Sequence, residues 1–215
     1  MAARRAGREP SSIRLLAVSK SATPAAVAAA VACGLAAFGE NYLQEAQPKI
    51  AAVAALCPGA ALEWHFIGPI QSNKTRPIAE HFGWVQSIDR LSIAERLSAQ
   101  RPPEAPPLNV LLQVNISGEA SKSGVDGEKL GPIAAAVAAL PRLRLRGLMA
   151  IPAAQADPEA VRPDFRRLRA LFDGLQESGF ALDTLSIGMS ADLEAAIAEG
   201  STMVRIGTAI FGPRP

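Results

Sequence analysis

Two hydrophobic periods alternate along the chain. Short apolar runs rich in β-branched and aromatic residues predict strands: LLAVSK (15–20), AAFGEN (36–41), LEWHFIG (62–68), WVQSID (84–89), LNVLLQVN (108–115), LRLRGLMAI (143–151), TLSIGMS (184–190) and MVRIGTAIF (203–211). Longer Ala/Leu/Glu-rich stretches between them predict helices. The first, 24–33, has Thr23 as N-cap and stops at Gly34, and 42–56, 73–82, 92–100 and 127–140 follow. The last two, 158–178 and 191–199, halt at Gly179 and Gly200. Eight strands with helices between them predict an α/β chain closed into a (β/α)₈ TIM barrel, with a doubly wound open sheet as the competing architecture. The Pro-rich stretch RPPEAPP (101–107) reads as a loop, so residues 1–215 are expected to form one domain. Barrels often cover their bottom with an extra helix before strand 1. Only Ala2–Gly7 is available here, so that helix is expected to be mostly missing.

Composition narrows the function. With 215 residues, 49% of them hydrophobic and 20% charged, the chain holds enough apolar material for one full core. The net charge of +2, without a basic block interleaved with aromatics, does not suggest a nucleic acid partner. Cys33 and Cys57 lie in Ala-rich helical segments and read as small buried hydrophobes in a reducing compartment. No apolar run reaches the roughly 18–20 residues of a membrane helix. The basic start MAARRAGREP lacks a following apolar stretch, so it is not a secretion signal and the expected location is the cytoplasm. Two dispersed histidines and two dispersed cysteines indicate no metal site, and no Walker or dinucleotide fingerprint is present.

In such a barrel the carboxyl ends of all strands meet at one rim, where the chemistry sits. The polar residues that close these strands are Lys20, Glu40 and Asn41, His65, Asn115, Ser190, and Arg205, Gly207 and Thr208, with Met149 late in the sixth strand. SIGMSADLEAAI (186–197) places Ser190 where a helix begins, and RIGT (205–208) joins a glycine to a hydroxyl. The loops after strands 7 and 8 are the recurring phosphate site of these barrels. Each piece has a plainer reading that stays open, an ordinary capped helix for the first and a barrel bend for the second. Lys20 is either a solvated strand end or an amine that forms an imine with a phosphorylated aldehyde. The second reading gains from Leu15–Val18, which read as fully buried. Arg205 sits in an apolar run and must face hydrogen-bond acceptors, either a ligand or a carboxylate such as Glu40. His65 reads as a site residue or a satisfied core histidine, and His81 as a helix end. Lys74 in QSNKT reads as a surface lysine, and Lys122 in the loop SGEASKSG (117–124) as facing the rim.

LLAVSK, FGENYLQEA, WHFIGPIQSNK, LLQVNIS…SKSG, GLMAI, SIGMSADLEAAI and GSTMVRIGTAIFG together resemble the pyridoxal phosphate homeostasis protein family. The match runs in one order from about Ile13 to Gly212. The resemblance implies a single-domain barrel akin to the N-terminal domain of alanine racemase. It implies pyridoxal 5'-phosphate (PLP) carried by Lys20 as an internal aldimine, with Asn41 beside the cofactor ring and Arg205 facing the pyridine nitrogen. Met189, Ser190, Gly207 and Thr208 would bind the phosphate. The family often has a basic residue two positions after the aldimine lysine, where this chain has Ala22.

An arginine at the ring nitrogen donates only, so the nitrogen stays neutral and the electron sink is weak. Racemases of this fold add a tyrosine from another domain. The single tyrosine here, Tyr42, opens the second helix and is not an obvious substitute. The expected function is therefore PLP homeostasis, holding the cofactor without strong turnover and passing it to PLP-requiring apo-enzymes. A weakly active PLP-dependent amino-acid racemase is the alternative, and a PLP-independent Schiff-base aldolase acting on a phosphosugar is a third reading.

Overall fold

In a computed structural model describing residues 1–118, 123–153 and 157–212, the strand-like runs form eight parallel strands. They are β1 (Arg14–Val18), β2 (Ala37–Glu40), β3 (Glu63–Phe66), β4 (Trp84–Ile88), β5 (Leu108–Gln113), β6 (Leu143–Met149), β7 (Thr184–Ser186) and β8 (Met203–Ile206). Each pairs with its sequence neighbours, and β1 closes on β8 with Leu16 opposite Arg205, so the sheet is a closed barrel and not an open one. The helices are α1 (Ala2–Arg5), α2 (Pro24–Ala32), α3 (Leu43–Leu56), α4 (Thr75–His81), α5 (Leu91–Gln100), α6 (Leu130–Ala138), α7 (Arg162–Glu177), α8 (Leu193–Ala198) and α9 (Thr208–Phe211). Thr23 caps α2 as expected, its hydroxyl accepting from the Ala26 amide at 3.2 Å.

The apolar material divides by strand parity. Outward side chains such as Phe38 and Val85 pack under the helices in one large cluster. α7 contributes Phe165, Leu168, Phe172 and Leu175 from one face, which is the spacing its sequence displays. Inward side chains form two smaller clusters, Leu16 with Ala37, Ile67 and Met203, and Trp84 with Leu111 and Met149. The floor of the lumen is Trp84. The guanidinium groups of Arg14 and Arg146 lie 5.9 Å and 4.7 Å from its ring centre. α1 docks through Ala3 onto Ile197, Val204 and Ile206, and Arg5 reaches Glu194 at 3.1 Å.

Several local expectations are corrected. Residues 208–211 at the end of the eighth run turn into α9 instead of continuing the strand. α8 starts at Leu193, not directly after Ser190, because Asp192 folds back and accepts the Met189 amide at 2.6 Å. Leu15 points away from the lumen and is 38% exposed, and Val18 is only half-buried because it reaches the mouth of the barrel. Cys33 is exposed and Cys57 half-buried, since each sits at the solvent end of its helix instead of in the core. Both are free thiols. Among the described residues no helix is long and apolar enough to cross a membrane.

Candidate functional site

Period-two alternation puts Arg14, Leu16, Val18 and Lys20 on the lumen side of β1, with Lys20 at the rim. The chain then turns sharply. Ser21 adopts φ +65°, and the Ala22 amide donates to the Ser19 carbonyl at 2.9 Å. A left-handed serine is disfavoured, so something must hold it. The holder is Lys49 on α3. Its Nζ donates to Ser19 O at 2.7 Å, Glu40 Oε1 at 2.9 Å and Glu45 Oε1 at 2.7 Å. Glu45 also accepts the Ser21 amide, and the Ser19 hydroxyl donates to Glu40 at 2.6 Å. The Glu40 and Lys49 side chains are 0% and 4% exposed, so this is a buried ion pair that holds Ser19 on one side of Lys20, while Glu45 holds Ser21 on the other. Burial pushes the Glu40 carboxyl above the usual carboxylate range, opposed by the hydrogen bonds from Ser19 and Lys49. The suggested pairing of Glu40 with Arg205 is overturned: Lys49 and Ser19 hold Glu40 through Oε1, and Arg205 donates to Ser186 and Ala150 instead. Lys49 has an i,i+4 carboxylate in sequence, the pattern of an ordinary surface pair, and only the packing of α3 against β1 and β2 makes it interior.

Asn41 follows β2 at the rim. Its Oδ1 is buried with no hydrogen-bond partner. Its carbonyl lies 2.0 Å from where a Cβ on residue 68 would be, so only Gly68 lets the ends of β2 and β3 approach this closely. After β7 the chain passes Gly188 at φ +94°, where a side chain would strike Ala196 Cβ at 2.5 Å. The loop then places Met189 and Ser190 at the mouth. After β8, Gly207 and Thr208 open α9, whose first amides have no partner within the helix.

Arg205 is buried inside β8. It donates from Nη1 to Ser186 O at 2.7 Å and Ser186 Oγ at 2.8 Å, and from Nη2 to Ala150 O at 2.9 Å. These partners are all neutral, and burial holds the guanidinium down to about 10, with nearby Asp192 acting the other way. The remaining donors are left for a ligand.

Lys20, Asn41, Met189, Ser190, Arg205, Gly207 and Thr208 all line one cavity of about 280 Å³, walled also by Val18, Ile67 and Ile151. Every residue selected from the sequence as cofactor-binding is therefore brought together. The Met189 amide is already taken by Asp192, so the hydroxyls of Ser190 and Thr208 and the amides opening α9 are what the two loops offer an anion. Asn115 and Met149 do not line this cavity, and Lys122 lies outside the described residues. Lys74 is half-buried beside a neighbouring rim cavity of about 380 Å³, which shares Asn41.

His65 is below the mouth and not in the lining. It is fully buried, its Nδ1 3.0 Å from Gln86 Nε2 and its ring stacked on Trp84 at 5.0 Å, the core histidine of the two readings but with its Nε2 left without a hydrogen-bond partner. Burial lowers its pKa from 6.5 to about 4, more than Glu63 offsets. The folded state therefore resists protonation that the unfolded chain accepts. His65 contributes stability that is complete above pH 6.5 and is lost as the pH falls to about 4. The loss is about 3 kcal/mol. Urea unfolding at a series of pH values should show this decline, and His65→Gln should flatten it. An equally steep decline in that variant would assign the effect elsewhere.

A profile of the alanine racemase N-terminal domain matches residues 2–215. A pyridoxal phosphate homeostasis protein of Pseudomonas aeruginosa is 63% identical over 213 residues, covering 99% of this chain and 90% of its own length. One from Escherichia coli is 58% identical over 99% of this chain and 91% of its own length. The solved structure of PipY from Synechococcus elongatus with PLP bound is 35% identical, with a TM-score of 0.85 over 99% of this chain and all of that one. With a family domain spanning the whole chain and relatives this similar over nearly their full length, the chain belongs to the pyridoxal phosphate homeostasis proteins, built on the alanine racemase N-terminal domain.

Proposed function

We propose that the rim cavity binds PLP and that the protein holds this cofactor for PLP homeostasis instead of turning over a substrate with it. The observation that carries this reading is one lysine, one arginine and two hydroxyl-bearing loops converging on a single small cavity. The residues fit the group. The unpartnered Asn41 Oδ1 offers an acceptor beside a ring, Arg205 has donors to spare and no carboxylate to neutralise it, and Ser190 and Thr208 sit at the loops suited to a phosphate. About 280 Å³ is just below the roughly 300–1,000 Å³ of ligand pockets, room for a small cofactor and not for a bulky substrate as well.

PLP supplies an aldehyde that an amine can capture and a ring that can accept electrons. The chain supplies the rest. Lys20 would hold the aldehyde covalently. Ser190, Thr208 and the adjoining amides of Gly207 and Thr208 would hold the phosphate, with Met189 beside them in the lining. Arg205 would offer only donors to the ring nitrogen. Lys20 and Arg205 are the only ionisable groups among the described residues of the lining. Racemisation needs acid–base groups on both faces of the substrate, and Tyr42 is 58% exposed and lines the neighbouring cavity instead. The relatives named for PLP homeostasis support the same assignment. The whole of 1–215 then serves one site, in the cytoplasm, with PLP-requiring apo-enzymes as recipients of the cofactor.

The test is titration of the purified protein with PLP, followed by absorbance, borohydride reduction and intact mass. A reducible visible band and a mass increase by one reduced cofactor are expected, with no racemisation across a panel of amino acids. Steady racemase turnover would move the assignment to the alternative. The phosphate is expected to carry much of the affinity. Charge-assisted hydrogen bonds contribute about 1.5–3 kcal/mol each, so Thr208→Val, which keeps the shape and removes the donor, should weaken PLP about tenfold or more. Dephosphorylated pyridoxal should bind far worse, and equal affinity for the two compounds would remove the phosphate from the argument.

A further inference from the structure

An unbroken line of buried hydrogen bonds runs down the barrel from the cofactor site. Arg205 Nη1 donates to Ser186 Oγ at 2.8 Å, Ser186 Oγ donates to Gln86 Oε1 at 2.7 Å, and Gln86 Nε2 lies 3.0 Å from His65 Nδ1. Ser186 on β7 and Gln86 on β4 are not neighbours in the sheet, so their bond crosses the lumen. Gln86 also touches Met203 Sδ on β8 at 3.1 Å. Ser186, Gln86 and His65 are all at 0% exposure, where a polar group without a purpose is costly.

The direction of each bond follows from the one before it. A guanidinium only donates, so the Ser186 oxygen accepts from Arg205 and passes its own hydrogen onward. The amide oxygen of Gln86 takes that hydrogen, which turns its NH₂ toward His65. The imidazole Nδ1 must then accept, so the hydrogen of the neutral ring is on Nε2. That nitrogen is 3.7 Å from Glu63, too far for a hydrogen bond, and Glu63 is itself held by Arg14 and by Trp84 Nε1 at 2.8 Å.

We propose that Ser186, Gln86 and His65 are positioning residues for Arg205, a relay that fixes the orientation of the guanidinium from below. This inference rests on the PLP reading and deepens it. A guanidinium donates whatever surrounds it, so what the inner-edge bonds decide is where its remaining donors point. The relay would hold those donors toward the ring nitrogen, the position from which an arginine leaves the cofactor a poor electron sink.

The experiment has two arms. In the apoprotein, long-range proton–nitrogen spectra at pH 7 report the imidazole tautomers. The chain has two histidines, so His81→Gln assigns the signals. Wild type should show His65 with its hydrogen on Nε2. Gln86→Glu turns the second carboxylate oxygen toward Nδ1 and should bring a hydrogen there. In the PLP-loaded protein, Ser186→Ala and Gln86→Leu should move the absorption maximum and weaken PLP about two- to tenfold, the value of one hydrogen bond. Gln86→Glu retains the acceptor for Ser186 and should stay within about twofold of wild type, a rescue that a merely structural role would not produce. A wild-type His65 carrying its hydrogen on Nδ1 overturns the relay. So does a Ser186→Ala protein that folds and matches wild type in spectrum and affinity. If Gln86→Leu does not fold, Ser186→Ala decides that arm. If wild type takes up no PLP at all, the cofactor reading fails, while the tautomer still judges the relay by itself.

Discussion

Lys20→Ala is expected to abolish covalent retention of PLP completely. Lys20 is the only lysine among the described residues lining the cavity. Lys49 lies close by in the chain's packing, yet its three N–H groups are committed to Ser19 O, Glu40 and Glu45, and only 4% of its side chain is exposed. Lys74 is beside the neighbouring cavity. The variant should lose the borohydride-reducible band and the mass increase. It should still show weaker, reversible binding through the two loops and Arg205, because those contacts do not depend on the amine. The fold should be unchanged, since a half-buried rim side chain contributes little to the core. Peptide mapping of the reduced wild-type protein checks the assignment directly. An adduct found on Lys74, or on Lys122 and not on Lys20, would move the site.

Lys49→Met should cost about 3–5 kcal/mol of stability, the consequence of leaving a buried carboxylate without its partner. For a chain of this size that corresponds to a drop of about 10 °C in Tm. Replacing Glu40 as well, in Lys49→Met/Glu40→Leu, removes the orphaned charge and should recover much of the loss. The two variants separate stability from function. Neither restores the anchor on Ser19 O, and neither holds Glu45 against the Ser21 amide. The left-handed turn after Lys20 should therefore loosen in both, and covalent capture of PLP should slow even where stability has returned. A thermal melt of Lys49→Met within about 2 °C of wild type would show that the buried pair is not stabilising. A double variant with normal stability and normal capture would show that Lys49 does not position Lys20.

Much of this site was legible before any coordinates. Eight apolar runs, among them those closing on Lys20, Asn41 and Ser190, predict eight strand ends, and a closed barrel brings all such ends to one rim. Parity along β1 and β8 then carries Lys20, Arg205 and Gly207 to the lumen side, so residues nearly two hundred positions apart meet without any local signal between them. The resemblance of the motifs to one family agrees with that convergence.

What stayed hidden has a common cause. Lys49, Asp192, Gln86 and Ser186 act through partners distant in sequence or through a local turn that competes with a helix. Lys49 has a surface-like i,i+4 carboxylate, and its burial depends on how α3 leans on β1 and β2. Asp192 takes the Met189 amide and delays α8 to Leu193, a choice between two local hydrogen bonds of similar strength. Gln86 and Ser186 look like polar interruptions of apolar strands until barrel closure sets them across the lumen from each other. Periodicity, which is local, favoured the barrel over an open sheet, strand-end chemistry offered a rim list that also held Glu40, His65, Asn115 and Met149, and the resemblance to one family narrowed it to the seven residues that line the cavity. The tertiary structure alone decided which buried charges pair and which amides remain for a ligand, because desolvation and hydrogen-bond geometry depend on neighbours that only closure of the barrel supplies.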